Sequence, residues 1–301
     1  MIEIKNLTKG FGENIAVKDV SLTVQKGSMF GLVGSNGAGK STLFRLLAGI
    51  YKPDGGSITY GGAPVWENTA VKEKIIFVSD DLYLPFSQSI RSMGELYKAA
   101  YKSFDKERLD SLVSVLRLNP KATFNTFSKG MRRQAAIALA LSVRPDYLLL
   151  DETFDGLDIV MRGFIKQVIY EDMAERGTTV LLSSHSLKEL EDCADRIALL
   201  HRGEIVMDSD LADAAFSFFK VQVAFEGTYG ESRFEGLKIR DYKQNGKVAS
   251  FIAEGDRGDI EARLGEMNPL LLDVLPLSLE ELFVCSLEAM GYAYGERETK
   301  I

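Results

Sequence analysis

The chain has 301 residues, 46% of them hydrophobic and 26% charged, with a formal net charge of −7. That is an ordinary globular composition, long enough for a large domain and a smaller one, and its acid excess argues against loose binding to nucleic acid. No apolar run approaches the roughly 18–20 residues of a membrane-spanning helix.

The opening MIEIKNLTKG reads directly as a strand, with no signal peptide expected ahead of it. Ile2, Ile4 and Leu7 suggest an edge strand, and Val20, Leu22 and Val24 alternate with Ser21 and Thr23 as in a half-buried one. Next, the apolar run Met29 to Val33 precedes GSNGAGKS at Gly34 to Ser41, and Thr42 to Leu46 follow as a helix start. Strand, glycine loop and helix are the context of a phosphate-binding P-loop. The glycines let backbone N–H groups face one anion, and the helix adds its positive end. The cradle is Ser35, Asn36, Gly37, Ala38, Gly39, Lys40, Ser41 and Thr42. Lys40 would reach between the β- and γ-phosphates, and Ser41 would hold Mg²⁺. The chain is therefore expected to bind a nucleoside triphosphate.

Gly55-Gly56 and Gly61-Gly62 bracket a short strand, Ser57 to Tyr60. Ile75 to Val78, Tyr147 to Leu150 and Thr179 to Leu182 are continuously apolar, as buried parallel strands are. Between them the helical period predicts two helices within residues 89–116, one over 130–143 and one over 159–174. Strand alternating with helix implies a mostly parallel sheet covered on both faces, with ligands at the strands' carboxyl ends. Arg196 to Leu200 and Glu204 to Met207, joined by His201-Arg202-Gly203, read as a closing hairpin, and His201 receives no role. Cys193 and Cys285 lack a partner motif and are read as reduced thiols of a cytosolic protein. From residue 211 the pattern changes to strands near 220–226, 237–242, 248–253 and 271–274, a helix near 260–264, an amphipathic helix over 279–290 and a frayed end at 295–301. Residues 1–210 are expected to form the nucleotide-binding domain, with a helical subdomain at about 85–145, and residues 211–301 a small α+β accessory domain.

The second chemical feature is Tyr147-Leu148-Leu149-Leu150-Asp151-Glu152. A buried strand ends in two carboxylates. Asp151 can orient Mg²⁺ through its water shell, and Glu152 can take a proton from an attacking water. With a P-loop, this pair is sufficient for ATP hydrolysis.

Over its first roughly 210 residues the chain resembles the ATP-binding subunit of an ABC transporter, an α/β P-loop NTPase with an antiparallel β subdomain and an inserted helical subdomain. Phe127-Ser128-Lys129-Gly130-Met131 stands where that family carries L-S-G-G-Q; Ser128 and Gly130 match, the other three depart. The resemblance implies that Ser128 and Gly130 meet the γ-phosphate held by a partner's P-loop, so that two copies clamp ATP between them. Lys129 is either a further cation near that phosphate or a solvated helix residue. By the same resemblance Phe11 stacks on adenine, or else packs in the core, and Val17 lines the ring's other side. Asp158 is the D-loop aspartate, Thr153 replaces the usual proline, and His185 is the switch histidine. Where the family carries a glutamine ligand of Mg²⁺, this chain has Ser79-Asp80-Asp81; Asp80 aligns best, with Asp81 the alternative.

The resemblance further implies a second ATP-binding subunit, read as a homodimer, and a separate membrane permease that Tyr83, Leu84, Pro85 and Phe86 would help to dock; these four could instead pack the helical subdomain. F-S-K-G-M-R-R and the ending Pro276 to Phe283 resemble the exporter subgroup with ABC-2 type permeases, which move drugs, peptides or lipids outward. The chain would sit at the cytoplasmic face of the membrane with ATP and Mg²⁺ as cofactors and no nucleic-acid partner. The alternatives are a soluble ABC-type ATPase acting on ribosomes or DNA, and a small-molecule P-loop kinase, which would need neither Ser128 nor His185.

Overall fold

The first two strands, β1 (Ile2–Phe11) and β2 (Asn14–Val24), pair antiparallel across a turn in which Gly12 takes φ +62°. In the computed structural model, which describes residues 1–210, 218–278 and 281–282, they belong to the first of two units, Met1–Asp208; the second is Ser209–Ile301. β2 buries Val20, Leu22 and Val24 and exposes Ser21 and Thr23, the alternation of a strand with one face on the core. β1, expected at an edge, is not one. β3 (Met29–Val33) opens a second sheet and α1 (Lys40–Leu47) follows it. β4 (Gly55–Tyr60) then returns along the free side of β1, and β5 (Ala63–Pro64) adds beyond it. Ile2 faces Tyr60 and Ile4 faces Ile58 across that seam, and all four side chains are buried. The burial those isoleucines require is supplied by a strand fifty residues away, which the local pattern of β1 could not reveal.

The other sheet carries the chemistry. After α2 (Thr69–Lys72) come β6 (Ile75–Val78), α3 (Ile90–Ala100), α4 (Lys106–Val115), α5 (Lys129–Ser142), β7 (Tyr147–Asp151), α6 (Ile159–Arg176), β8 (Thr179–Ser184), α7 (Leu187–Glu191), β9 (Arg196–His201) and β10 (Glu204–Asp210). The strand order is β10-β9-β3-β8-β7-β6, and the neighbours from β9 to β6 run parallel. All four parallel strands read as apolar runs lie here, as burial on both faces demands. The short α2 and α7 were not signalled by any periodicity. Helix starts are fixed by side-chain caps: Ser89 on α3, Asp105 on α4, Ser128 on α5 and Asp158 on α6 each accept an N–H of the first turn. Among the described residues no helix is long and apolar enough to cross a membrane.

The second unit contains β11 (Phe218–Ala224), β12 (Lys238–Asn245), β13 (Val248–Glu254), α8 (Arg257–Gly265) and β14 (Leu271–Pro276). Its antiparallel sheet has the order β12-β13-β11-β14. Phe219, Val221, Val223, Phe251 and Val274 pack with Ile260 and Leu264 of α8 into a separate α+β core. Phe234 joins it with its ring centroid 4.6 Å from that of Phe251. Apart from Glu281 and Leu282, the helix expected over 279–290 lies outside the described residues, as do Cys285 and the end 295–301.

Candidate active site

β3 ends at Val33 and α1 begins at Lys40, so the P-loop sits at the carboxyl edge of the parallel sheet. Two of its glycines are required by close approach. Gly39 has φ +108°, and a Cβ there would collide with the Ala16 carbonyl oxygen; one on Gly34 would collide with the Leu200 carbonyl oxygen. At these two positions the loop is pressed against β2 and β9 with no room for a side chain. Lys40 is buried, and its Nζ donates to the carbonyl oxygen of Gly34 at 2.6 Å and lies 3.0 Å from Glu152 Oε1. One ammonium therefore stands within a hydrogen-bond length of both the phosphate-binding loop and the carboxylate at the end of β7.

Asp151 is the last residue of β7 and Glu152 the first beyond it, and the two carboxylates have different surroundings. Asp151 is fully buried; Oδ1 accepts from the Ser183 hydroxyl at 2.6 Å, while Oδ2 is buried without a hydrogen-bond partner. Burial pushes the Asp151 carboxyl above the usual range. The hydroxyls of Ser183 and Ser41 pull it partly back, Glu152 raises it and Arg45 lowers it. A buried carboxylate oxygen lacking a partner, beside a serine hydroxyl, is a hard-oxygen donor set that fits Mg²⁺. Glu152 takes φ +47°, a left-handed conformation uncommon outside glycine. Its N–H donates to Ser183 Oγ at 2.9 Å. Thr153, in place of the usual proline, is buried and its hydroxyl donates to the carbonyl oxygens of Val78 and Asp151.

A cavity of about 640 Å³ opens over these groups. Phe11, Asn36, Gly37, Ala38, Gly39, Lys40, Ser41, Thr42, Asp80 and Glu152 line it, as do Ile15, Ala16, Arg202 and Gly203, which sequence reading had not assigned. Phe11 is 46% exposed, with its ring edge-to-face on Tyr51 at 5.5 Å. Val17 must be corrected. It is fully buried in the core cluster beneath β2, and its neighbours Ile15 and Ala16 reach the cavity instead. Val17 pairs with Lys9 and Ile15 with Gly10, so the register shifts between them and Ala16 is an extra residue on β2. That bulge breaks the alternation, which is why Ile15 reaches the cavity although it lies two residues from buried Val17. Asp81 does not line the cavity; Asp80 does, and it also lines a groove of about 370 Å³ with Tyr83, Leu84, Phe86, Lys129 and Arg132. Lys129 lines the groove and not the cavity.

Ser35 contributes its carbonyl oxygen to Lys40 at 3.3 Å. His185 follows β8, with Nδ1 3.6 Å from carboxylate oxygens of both Glu152 and Asp155. Ser128, Gly130 and Asp158 do not line the cavity. Ser128 caps α5, with its Oγ accepting the Met131 N–H at 3.2 Å, and Asp158 caps α6, with its carboxylate accepting the Met161 N–H at 2.9 Å. Sequence reading missed Arg133. This side chain of α5 is 1% exposed. It donates to the carbonyl oxygens of Asp80, Glu152 and Asp155 and to Asp80 Oδ1, the last at 2.6 Å. Only its place beside Arg132 in the quoted F-S-K-G-M-R-R marked it.

Comparison with known proteins agrees with this geometry. Residues 17–155 match the family model for the ABC transporter. The ABC transporter ATP-binding protein YtrB of Bacillus subtilis is 30% identical over 285 residues, 94% of this chain and 97% of that protein. Nod factor export ATP-binding protein I of Rhizobium sp. (strain N33) is 32% identical over 293 residues, 94% of this chain and 95% of that protein. A solved dimeric structure of a bacterial ABC transporter cassette matches with TM-score 0.64 and 26% identity, over 70% of this chain and 99% of that one. A phosphate loop pressed between strands, a carboxylate pair at the next strand's end and relatives aligned along almost their whole length lead to one assignment: the chain belongs to the ABC transporter ATP-binding proteins, and it is an ATPase.

Proposed function

We propose that two copies of this chain close around two ATP molecules and that their hydrolysis drives a separate membrane permease of the ABC-2 type, exporting a drug, an amphipathic peptide or a lipid. The observation that carries the reading is that the P-loop lines the cavity while the Ser128 helix tip does not. A second copy brings the Ser128 helix tip and Gly130 to the phosphates of the first. Ile159 and Val160, beside Asp158 at the start of α6, are 88% and 73% exposed, apolar surface of the kind a partner covers.

Within each half, Phe11 stacks on the base, and the backbone from Ser35 to Thr42 with Lys40 binds the phosphates. Ser41 and Asp151, through its unpartnered Oδ2, would hold Mg²⁺, with Asp80 nearby on the cavity wall. The metal's contribution is neutralisation of phosphate charge. Glu152 accepts the proton of the attacking water; Lys40 approaches one of its carboxylate oxygens and His185 the other, from where His185 would contact the γ-phosphate. Export is supported by the name of the Rhizobium relative, and docking by the groove at Tyr83, which is 92% exposed. The protein then sits peripherally on the cytoplasmic face.

The test is capture of a tagged chain from its own membranes in mild detergent. The expected result is a co-purifying polypeptide with several membrane spans that raises ATPase activity when reconstituted. Recovery with ribosomes or DNA, and no membrane polypeptide, would contradict the proposal.

A further inference from the structure

Arg133 is a charged side chain held almost out of reach of solvent, and nothing in the hydrolytic chemistry above uses it. Its four acceptors come from two separate stretches of chain. Nη2 takes the carbonyl and the carboxylate of Asp80, just past β6; Nη1 takes the carbonyl of Glu152 at the end of β7 and that of Asp155 three residues on. A planar guanidinium fixes such acceptors in one relative geometry, which a lysine cannot do. Two of them matter for the reaction. The Glu152 carbonyl belongs to the residue with φ +47°, so the donor from Arg133 helps to hold the left-handed turn from which the carboxylate projects. The Asp80 carboxylate stands at the boundary between the nucleotide cavity and the groove beside Tyr83 and Phe86.

We propose that Arg133 is a positioning residue that fixes the Glu152 turn and, through its ion pair with Asp80, makes that turn respond to the position of the loop after β6. Asp80 in this reading acts through Arg133 and not as a metal ligand: its Oδ1 is already taken at 2.6 Å by a buried cation. Whatever moves the groove-side loop shifts one arm of the fork, and the other arm carries the displacement to the backbone of the general base. The inference rests on the ATPase reading and deepens it, since it names how the groove and the reaction are connected.

The experiment compares wild type with Asp80→Ala, Arg133→Lys and the double variant. Measured are phosphate release, affinity for a fluorescent ATP analogue, the Mg²⁺ concentration giving half-maximal turnover, and the melting temperature. Wild-type phosphate release tests the ATPase reading by itself, before any variant is made. Arg133 is deeply buried and its replacement can unfold the chain; Asp80 is half exposed, so Asp80→Ala keeps the test open if Arg133→Lys does not fold. Asp80→Ala is expected to slow turnover about tenfold and Arg133→Lys about 10²-fold. In both, analogue affinity and the Mg²⁺ midpoint stay within about threefold of wild type, because misplacement of the base affects kcat and not binding. The double variant is expected to be no slower than Arg133→Lys, since Asp80 acts through that side chain. Unchanged turnover in Asp80→Ala, additive losses, or a rate restored by excess Mg²⁺ would each overturn the proposal, the last by making Asp80 a direct ligand.

Discussion

Glu152→Gln should slow phosphate release by about 10²–10⁴-fold, the usual contribution of a positioned general base, while ATP affinity stays near wild type. Glutamine has the shape of glutamate and still offers Lys40 an oxygen acceptor, so the 3.0 Å contact and the left-handed turn both persist. The backbone contacts from Ser183 and Arg133 do not involve the side chain and are unaffected. What disappears is the ability to accept a proton. Steady-state phosphate release, read beside titration with a fluorescent nucleotide, separates the two effects: a drop in kcat with unchanged binding is expected. Turnover within a few-fold of wild type would mean that another group, with His185 the nearest candidate, activates the water.

Lys40→Met should act on the other quantity. The methionine keeps the apolar stem in its buried channel and removes the ammonium, so the phosphates lose their closest cation. Truncating one member of a buried, hydrogen-bonded charge pair costs about 2–5 kcal/mol, equivalent to a loss of ATP affinity of ~30-fold or more. Glu152 keeps access to solvent from the cavity, so it can rehydrate and the fold should survive. Titration calorimetry with ATP and Mg²⁺, alongside a melting curve, checks both halves of the expectation. Wild-type affinity in Lys40→Met would place the phosphates away from the P-loop.

The same two groups explain what was legible in the sequence. The P-loop could be read because its requirement is local: Gly34 and Gly39 are glycines since neighbouring carbonyls leave no space for a Cβ, and the flanking strand and helix carry their own periods. The Asp151-Glu152 pair could be read because an apolar run ending in carboxylates is equally local. Three features could not. The neighbour of β1 is set by β4, fifty residues on, so no pattern within Ile2–Phe11 distinguishes a central strand from an edge. Val17 is expected on the ligand side, but the bulge between it and Ile15 is set by pairing with β1, and no residue type in β2 announces where the alternation breaks. Arg133 is satisfied by carbonyls from two segments, one after β6 and one after β7, and carbonyls belong to every residue, so no residue type announces them. Chemistry carried by side chains at fixed spacing was visible; chemistry carried by backbone acceptors gathered through tertiary packing was not.

The central claim is that each triphosphate is gripped by two copies of the chain, and the mass of the Glu152→Gln variant in solution tests it directly. Sedimentation velocity with saturating ATP and Mg²⁺ should give a species of twice the 33.3 kDa chain mass, which returns to the single-chain mass when ATP is replaced by ADP. A variant that binds ATP fully and yet sediments as one chain at every concentration would contradict the account.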